Sequence, residues 1–187
     1  GCALVREPRY LTEAFSFHPD YYNFESPGKE SPLNFHELGP QNSRGFRALK
    51  VWLALRLVGR DGYLRMIGDD IALARSLYQM AENRAELQVF TQNLSITTFR
   101  FVPEGLSPDN PAGETYLNDL NREILNALQA GGEVYLSNAV LDGTYVLRAC
   151  IVNFRTRMAD LEALVETVIR SGRAVDARMR PLSLKEK

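Results

Sequence analysis

Three arginines of this 187-residue chain could hold an anion. Arg44 and Arg47 flank Gly45-Phe46 at the head of a helix-like run, and Arg148 stands inside Tyr145-Val146-Leu147-Arg148-Ala149-Cys150-Ile151-Val152. A guanidinium offers planar paired donors that match a phosphate or a carboxylate. Arg148 poses the sharper question, because a charge inside a buried apolar strand needs a partner or an opening to a cleft. Arg44 and Arg47 suit a bound anion and a structural ion pair equally. Ser43 has the residue type of an N-cap for the helix at Phe46. Lys50 lies on a largely apolar helix and reads as a snorkelling or ion-paired lysine. His18 and His36 are the only histidines, and neither has a partner at metal-ligand spacing, so no metal site is expected. The glycines form neither a dinucleotide fingerprint nor a phosphate loop, and no Gly-x-Ser-x-Gly elbow occurs.

Positioning elements follow from hydrophobic period and turn residues. Gly1–Arg6 reads as a short buried strand, followed by a helical turn around Pro8–Phe15. From Ser16 to Gly45 the prolines and glycines recur without periodicity, well beyond the usual loop length of about 4–6 residues. That stretch and its leading edge hold Phe15, Phe17, Tyr21, Tyr22, Phe24 and Phe35, so a loop that packs onto something is expected. Phe46–Val58 is predicted helical and apolar nearly all round, hence buried on nearly all sides. Gly59 stops it, and Asp61 is placed to cap a second helix reaching Asn83. Leu87–Gln92 and Leu94–Val102 then alternate as strands. Glu114–Ala130 is an amphipathic helix, and Val134–Val140 and Tyr145–Val152 are strands joined through the hairpin signal Asp142-Gly143. A last helix starts after Thr156, its expected cap, and frays after Arg173. The order from Glu86 is β-β-α-β-β-α, an antiparallel sheet with helices on one face.

The balance of 22 Lys plus Arg against 23 Asp plus Glu argues against a nucleic-acid binder, which needs a basic surface. No apolar run approaches the roughly 20 residues that span a bilayer, so no membrane partner is expected. Cys2 and Cys150 are isolated thiols, consistent with a reducing cytoplasm. Taken alone, these features describe an α+β domain carrying a long aromatic loop.

One block says more. Asn42-Ser43-Arg44-Gly45-Phe46-Arg47-Ala48-Leu49-Lys50-Val51-Trp52-Leu53 resembles a segment of the group II pyridoxal-phosphate-dependent amino-acid decarboxylases, the family of the aromatic amino-acid, histidine and glutamate decarboxylases. Gly1-Cys2-Ala3-Leu4-Val5-Arg6 resembles the strand after that family's cofactor lysine. Phe15-Ser16-Phe17-His18-Pro19-Asp20-Tyr21 resembles the start of its mobile catalytic loop, and Tyr145–Val152 its C-terminal strand. Gly45 departs from the pattern, since many members carry a second arginine there.

The resemblance implies an α/β enzyme of PLP-dependent transferase fold-type I. Residues 1–45 would end the large domain, 46–85 would be connecting helices, 86–175 the C-terminal small α+β domain and 176–187 a frayed tail. It implies a cytoplasmic homodimer that decarboxylates an L-amino acid with pyridoxal 5′-phosphate as electron sink. Tyr21, with Tyr22 as its rival, would be the proton donor acting across the dimer interface. Ser43 and Arg44 would line the partner subunit's site, and Arg148 would lie on the substrate-carboxylate side. The family's Schiff-base lysine follows a histidine. The lysines here, Lys29, Lys50, Lys185 and Lys187, do not. The expectation is therefore a chain that begins after the cofactor lysine, is inactive alone and needs the missing large-domain segment. Same-fold chemistry such as transamination or desulfuration, and a non-enzymatic α+β interaction module, are the alternatives.

Overall fold

The computed structural model of the chain describes residues 4–17, 19, 34–106 and 111–181. It divides into two compact units, Gly1–Leu57 and Val58–Lys187. In the first, helix α1 (Arg9–Phe15) starts after Pro8 and packs against a single 3₁₀ turn, Phe35–Leu38. Leu4–Arg6 form no strand, and Leu4 is 95% exposed. A strand needs a neighbour to complete its ladder, and no described strand lies in this unit.

Helix α2 (Ala48–Glu82) is interrupted at Gly59, where φ 68° and ψ 173° leave the helical region. This is the stop expected there, and a residue without Cβ adopts such a φ at no steric cost. The expected burial of the first segment is not observed. Phe46, Val51, Trp52, Leu53, Leu55 and Leu57 are all exposed, because no described element of their unit lies over them.

The second unit carries a four-stranded sheet, β1 (Leu87–Asn93), β2 (Ile96–Phe101), β3 (Ser137–Leu141) and β4 (Thr144–Cys150), in the order β1-β2-β4-β3. All neighbours are antiparallel. Helices α3 (Pro111–Gly131) and α4 (Met158–Met179) and the end of α2 cover one face. Leu77, Phe99, Phe101, Leu117, Leu120, Ile124, Leu147 and Val168 fill the core between them. Thr97 ties the sheet to α2 by donating its hydroxyl to the Ala74 carbonyl at 2.7 Å.

The unit consists of two consecutive ββα halves, β1-β2-α3 and β3-β4-α4, joined through β2 and β4. Each hairpin turns through two residues, Leu94-Ser95 and Asp142-Gly143, and each turn begins with a residue of positive φ, 49° at Leu94 and 48° at Asp142. Asp142-Gly143 is the expected primed turn, since Gly143 also has positive φ. Leu94, expected in a strand, is a turn residue instead.

The halves join unequally. The β2–β4 ladder runs only from Ile96↔Cys150 to Phe99↔Leu147, and then α3 is wedged between the diverging strands. Asn121, fully buried, accepts from the Phe101 N–H at 2.8 Å and donates to the Phe101 carbonyl at 2.9 Å. Asn118 accepts from the Tyr145 N–H at 2.6 Å and donates to the Gly143 carbonyl at 3.1 Å. Two carboxamides thus replace a neighbouring strand, as buried backbone polar groups require.

Helix α4 corrects two expectations. Its cap is Arg157 rather than Thr156: the Arg157 N–H donates to Asp160 Oδ2 at 2.8 Å, and that carboxylate favours the helix start. The tail is also shorter than expected, because the helix persists to Met179. Val175 is buried, and Asp176 accepts from Tyr116 Oη at 2.7 Å and from Arg180 Nη2 at 2.8 Å. Burial, then Asp176, pushes the Tyr116 phenol well above the usual tyrosine range.

Candidate active site

Alternation along β4 turns Tyr145, Leu147 and Ala149 into the core and Val146, Arg148 and Cys150 to the opposite face. Ladder partners place Thr98 of β2 and Ser137 of β3 directly beside Arg148. A transverse row results, Ser137, Arg148, Thr98 and, hydrogen-bonded to the last, Thr91. The Thr98 hydroxyl is engaged by β1: it accepts from the Thr91 N–H at 2.9 Å and shares a 2.7 Å bond with the Thr91 hydroxyl. Arg148 is half-buried. Its Nη1 donates to Ser137 Oγ at 3.3 Å. Among the described residues no carboxylate pairs with it.

Arg100 of β2 occupies the equivalent position in the first half, the same distance after its turn, and is treated in the opposite way. Its side chain is 2% exposed. Nε donates to Gln88 Oε1 at 2.8 Å, and Nη1 and Nη2 donate to the two oxygens of Glu114 at 2.8 and 3.0 Å. The Phe90 ring lies under the guanidinium at 5.5 Å. The Arg100 hydrogen bond outweighs desolvation and holds the Glu114 carboxyl below its ordinary range, helped by the Thr144 hydroxyl at 3.0 Å. Sequence reasoning missed Arg100. Its only signal was its place on the face opposite Phe99 and Phe101.

In the other unit Ser43 and Arg44 are exposed. Arg44 Nε donates to Gln41 Oε1 at 3.3 Å. The helix begins at Ala48, so Ser43 lies too far upstream to cap it. Tyr21, Tyr22 and His18 lie outside the described residues.

A family model described as "Pyridoxal-dependent decarboxylase conserved domain" matches residues 1–102. The chain belongs to this family. The aromatic-L-amino-acid decarboxylase of Bacillus atrophaeus is 32% identical over 176 residues, covering 90% of this chain and 36% of that protein. The phenylacetaldehyde synthase of a Rosa hybrid cultivar is 28% identical over 152 residues, covering 80% of this chain and 30% of that protein. The Oryza sativa TDC solved with PLP and tryptamine shares the fold at a TM-score of 0.78 and 21% identity, over 91% of this chain and 34% of that one. The chain therefore spans about a third of the length of the relatives it matches. The fold-type I expectation holds, with the antiparallel sheet and its helices as the C-terminal portion.

Family membership makes pyridoxal 5′-phosphate the cofactor. The described residues do not form a cradle for it. Their one lysine, Lys50, is exposed on α2, and Arg44 and Arg47, upstream of that helix, are exposed too. Among them none is a buried lysine able to hold an aldehyde. What the described residues do present is a half-buried guanidinium on the sheet face opposite the core, with a hydroxyl as its partner.

Proposed function

We propose that the protein containing this chain is a cytoplasmic, homodimeric carboxy-lyase that removes the α-carboxyl group from an L-amino acid, an aromatic one foremost. The observation that carries the reading is Arg148. A half-buried guanidinium without a carboxylate partner among the described residues is set to receive an anion, and an amino acid brings a carboxylate. The names of the aromatic-amino-acid and tyrosine decarboxylases among the relatives support the substrate class. Among the described residues no helix is long and apolar enough to cross a membrane, and Cys150 is a free thiol; both are compatible with the cytoplasm.

Within that reading Arg148 binds and orients the substrate on its carboxylate side. Tyr21 donates its phenol proton to the carbon that has lost the carboxyl group, reaching across the dimer interface. Ser43 and Arg44 line the partner subunit's site. The rose relative, named for an aldehyde, favours a second reading: same-fold chemistry that ends in an aldehyde rather than an amine. The full-length enzyme with Tyr21→Phe tests both. Decarboxylation should fall about 10²–10⁴-fold, the usual loss of a general acid, while amino-acid binding persists. Full amine production by the variant would remove Tyr21 from the reaction. Aldehyde as the main product of the unaltered enzyme would establish the second reading.

A further inference from the structure

The two equivalent arginines differ in what holds them, and the difference isolates one residue. Arg100 is fixed by an amide and a bidentate carboxylate. Arg148 has, among the described residues, only Ser137. Ser137 sits on Arg148's ladder position in β3, as Gln88 sits on that of Arg100 in β1. Its hydroxyl is used twice. Oγ donates its one proton to the backbone carbonyl of Arg148 at 3.3 Å, so a lone pair is left to accept from Nη1 at 3.3 Å. One oxygen therefore clamps both ends of the same residue. The hydroxyl on the other flank cannot substitute, because Thr98 is turned to Thr91. The remaining guanidinium donors have no partner among the described residues.

We propose that Ser137 is a positioning residue: it fixes the guanidinium of Arg148 in the orientation that receives the substrate's α-carboxylate. This rests on the reading of Arg148 given above. A neutral hydroxyl orients the cation without neutralising it, whereas a carboxylate in that place would occupy the donors a ligand needs, as Glu114 occupies those of Arg100.

The test uses the full-length enzyme with Ser137→Ala, Ser137→Thr and Arg148→Gln. It reads kcat, KM for the amino acid, and inhibition by the corresponding amine, which lacks the carboxylate. Ser137→Ala should raise KM about three- to tenfold, the size of one lost net hydrogen bond. It should leave kcat within about twofold and amine inhibition unchanged, since only the carboxylate contact is misaligned. Ser137→Thr keeps the hydroxyl and should restore KM. A normal KM in Ser137→Ala with a raised KM in Arg148→Gln would overturn the role of Ser137 and leave that of Arg148 standing. A normal KM in Arg148→Gln would overturn the reading of Arg148 itself. Equal weakening of amine and amino acid by Ser137→Ala, or no rescue by threonine, would reduce Ser137 to a packing residue.

Discussion

Deleting the two partners of the Arg100–Glu114 pair should have sharply different costs, because they are buried to different extents. Arg100 is 2% exposed and Glu114 29%. Glu114→Ala leaves a guanidinium deep in the fold without a counter-charge. Breaking a buried pair this way costs about 3–5 kcal/mol. Gln88 and the Phe90 ring still hold the cation, and the shortened side chain admits water, so about 2–4 kcal/mol is expected here. Arg100→Met removes the buried charge and fills its space with an apolar chain. Glu114 then rehydrates, and about 0–1.5 kcal/mol is expected. The two also differ with pH. The folded-state carboxyl of Glu114 lies below its unfolded value. Its contribution is therefore present above the ordinary glutamate pKa of about 4.3 and is lost as pH falls through the lower folded value. Arg100→Met should flatten that acid-side slope. Urea unfolding followed by far-ultraviolet circular dichroism at neutral and acid pH measures both effects. Fluorescence is unsuitable, because the single tryptophan, Trp52, lies in the other unit. Arg100→Met costing as much as Glu114→Ala, or an unchanged acid slope, would refute the reasoning.

Two further substitutions probe the packing. Asn121→Leu keeps the bulk but strips the N–H and carbonyl of Phe101 of their partners; at about 1–3 kcal/mol per orphaned group, urea unfolding should show a loss of about 2–6 kcal/mol, together with faster amide exchange at Phe101. Gly172→Ala would place a Cβ 2.6 Å from the Phe101 ring, so overpacking of about 1–3 kcal/mol should exceed the gain of about 1 kcal/mol in helix propensity, and the thermal midpoint should fall.

The second unit was almost entirely legible in the sequence because its signals are local. Alternation through Thr97, Phe99 and Phe101, the Asp142-Gly143 turn, and the helical spacing of Leu117, Leu120, Ile124 and Leu128 each fix an element without reference to the rest. Leu94 escaped because leucine is no turn former and prolongs the strand pattern. Arg100 escaped because its partner, Glu114, comes from a helix beyond an intervening loop; position on the polar side of a strand does not reveal that the polar side is covered. The end of α4 escaped for the same reason, since Asp176 is held by Tyr116 of α3. In the first unit the apolar Phe46–Val58 run predicted a cover that none of that unit's described elements supplies. For the candidate site, its place in an apolar strand singled out Arg148, whereas its substrate-side role, like the roles of Tyr21, Ser43 and Arg44, owes to the family resemblance.

The short β2–β4 ladder has a kinetic consequence. Each hairpin closes through a two-residue turn and needs only near neighbours in the chain, so each forms early and at small entropic cost. Their union is non-local. It rests on the few pairs from Ile96↔Cys150 to Phe99↔Leu147 and on the helix lodged beyond them. Docking of α3 is therefore expected to be the step that commits the two halves to one another in the folding transition state. Substitutions at Asn118 and Asn121, like those in either hairpin turn, should then slow folding more than they speed unfolding.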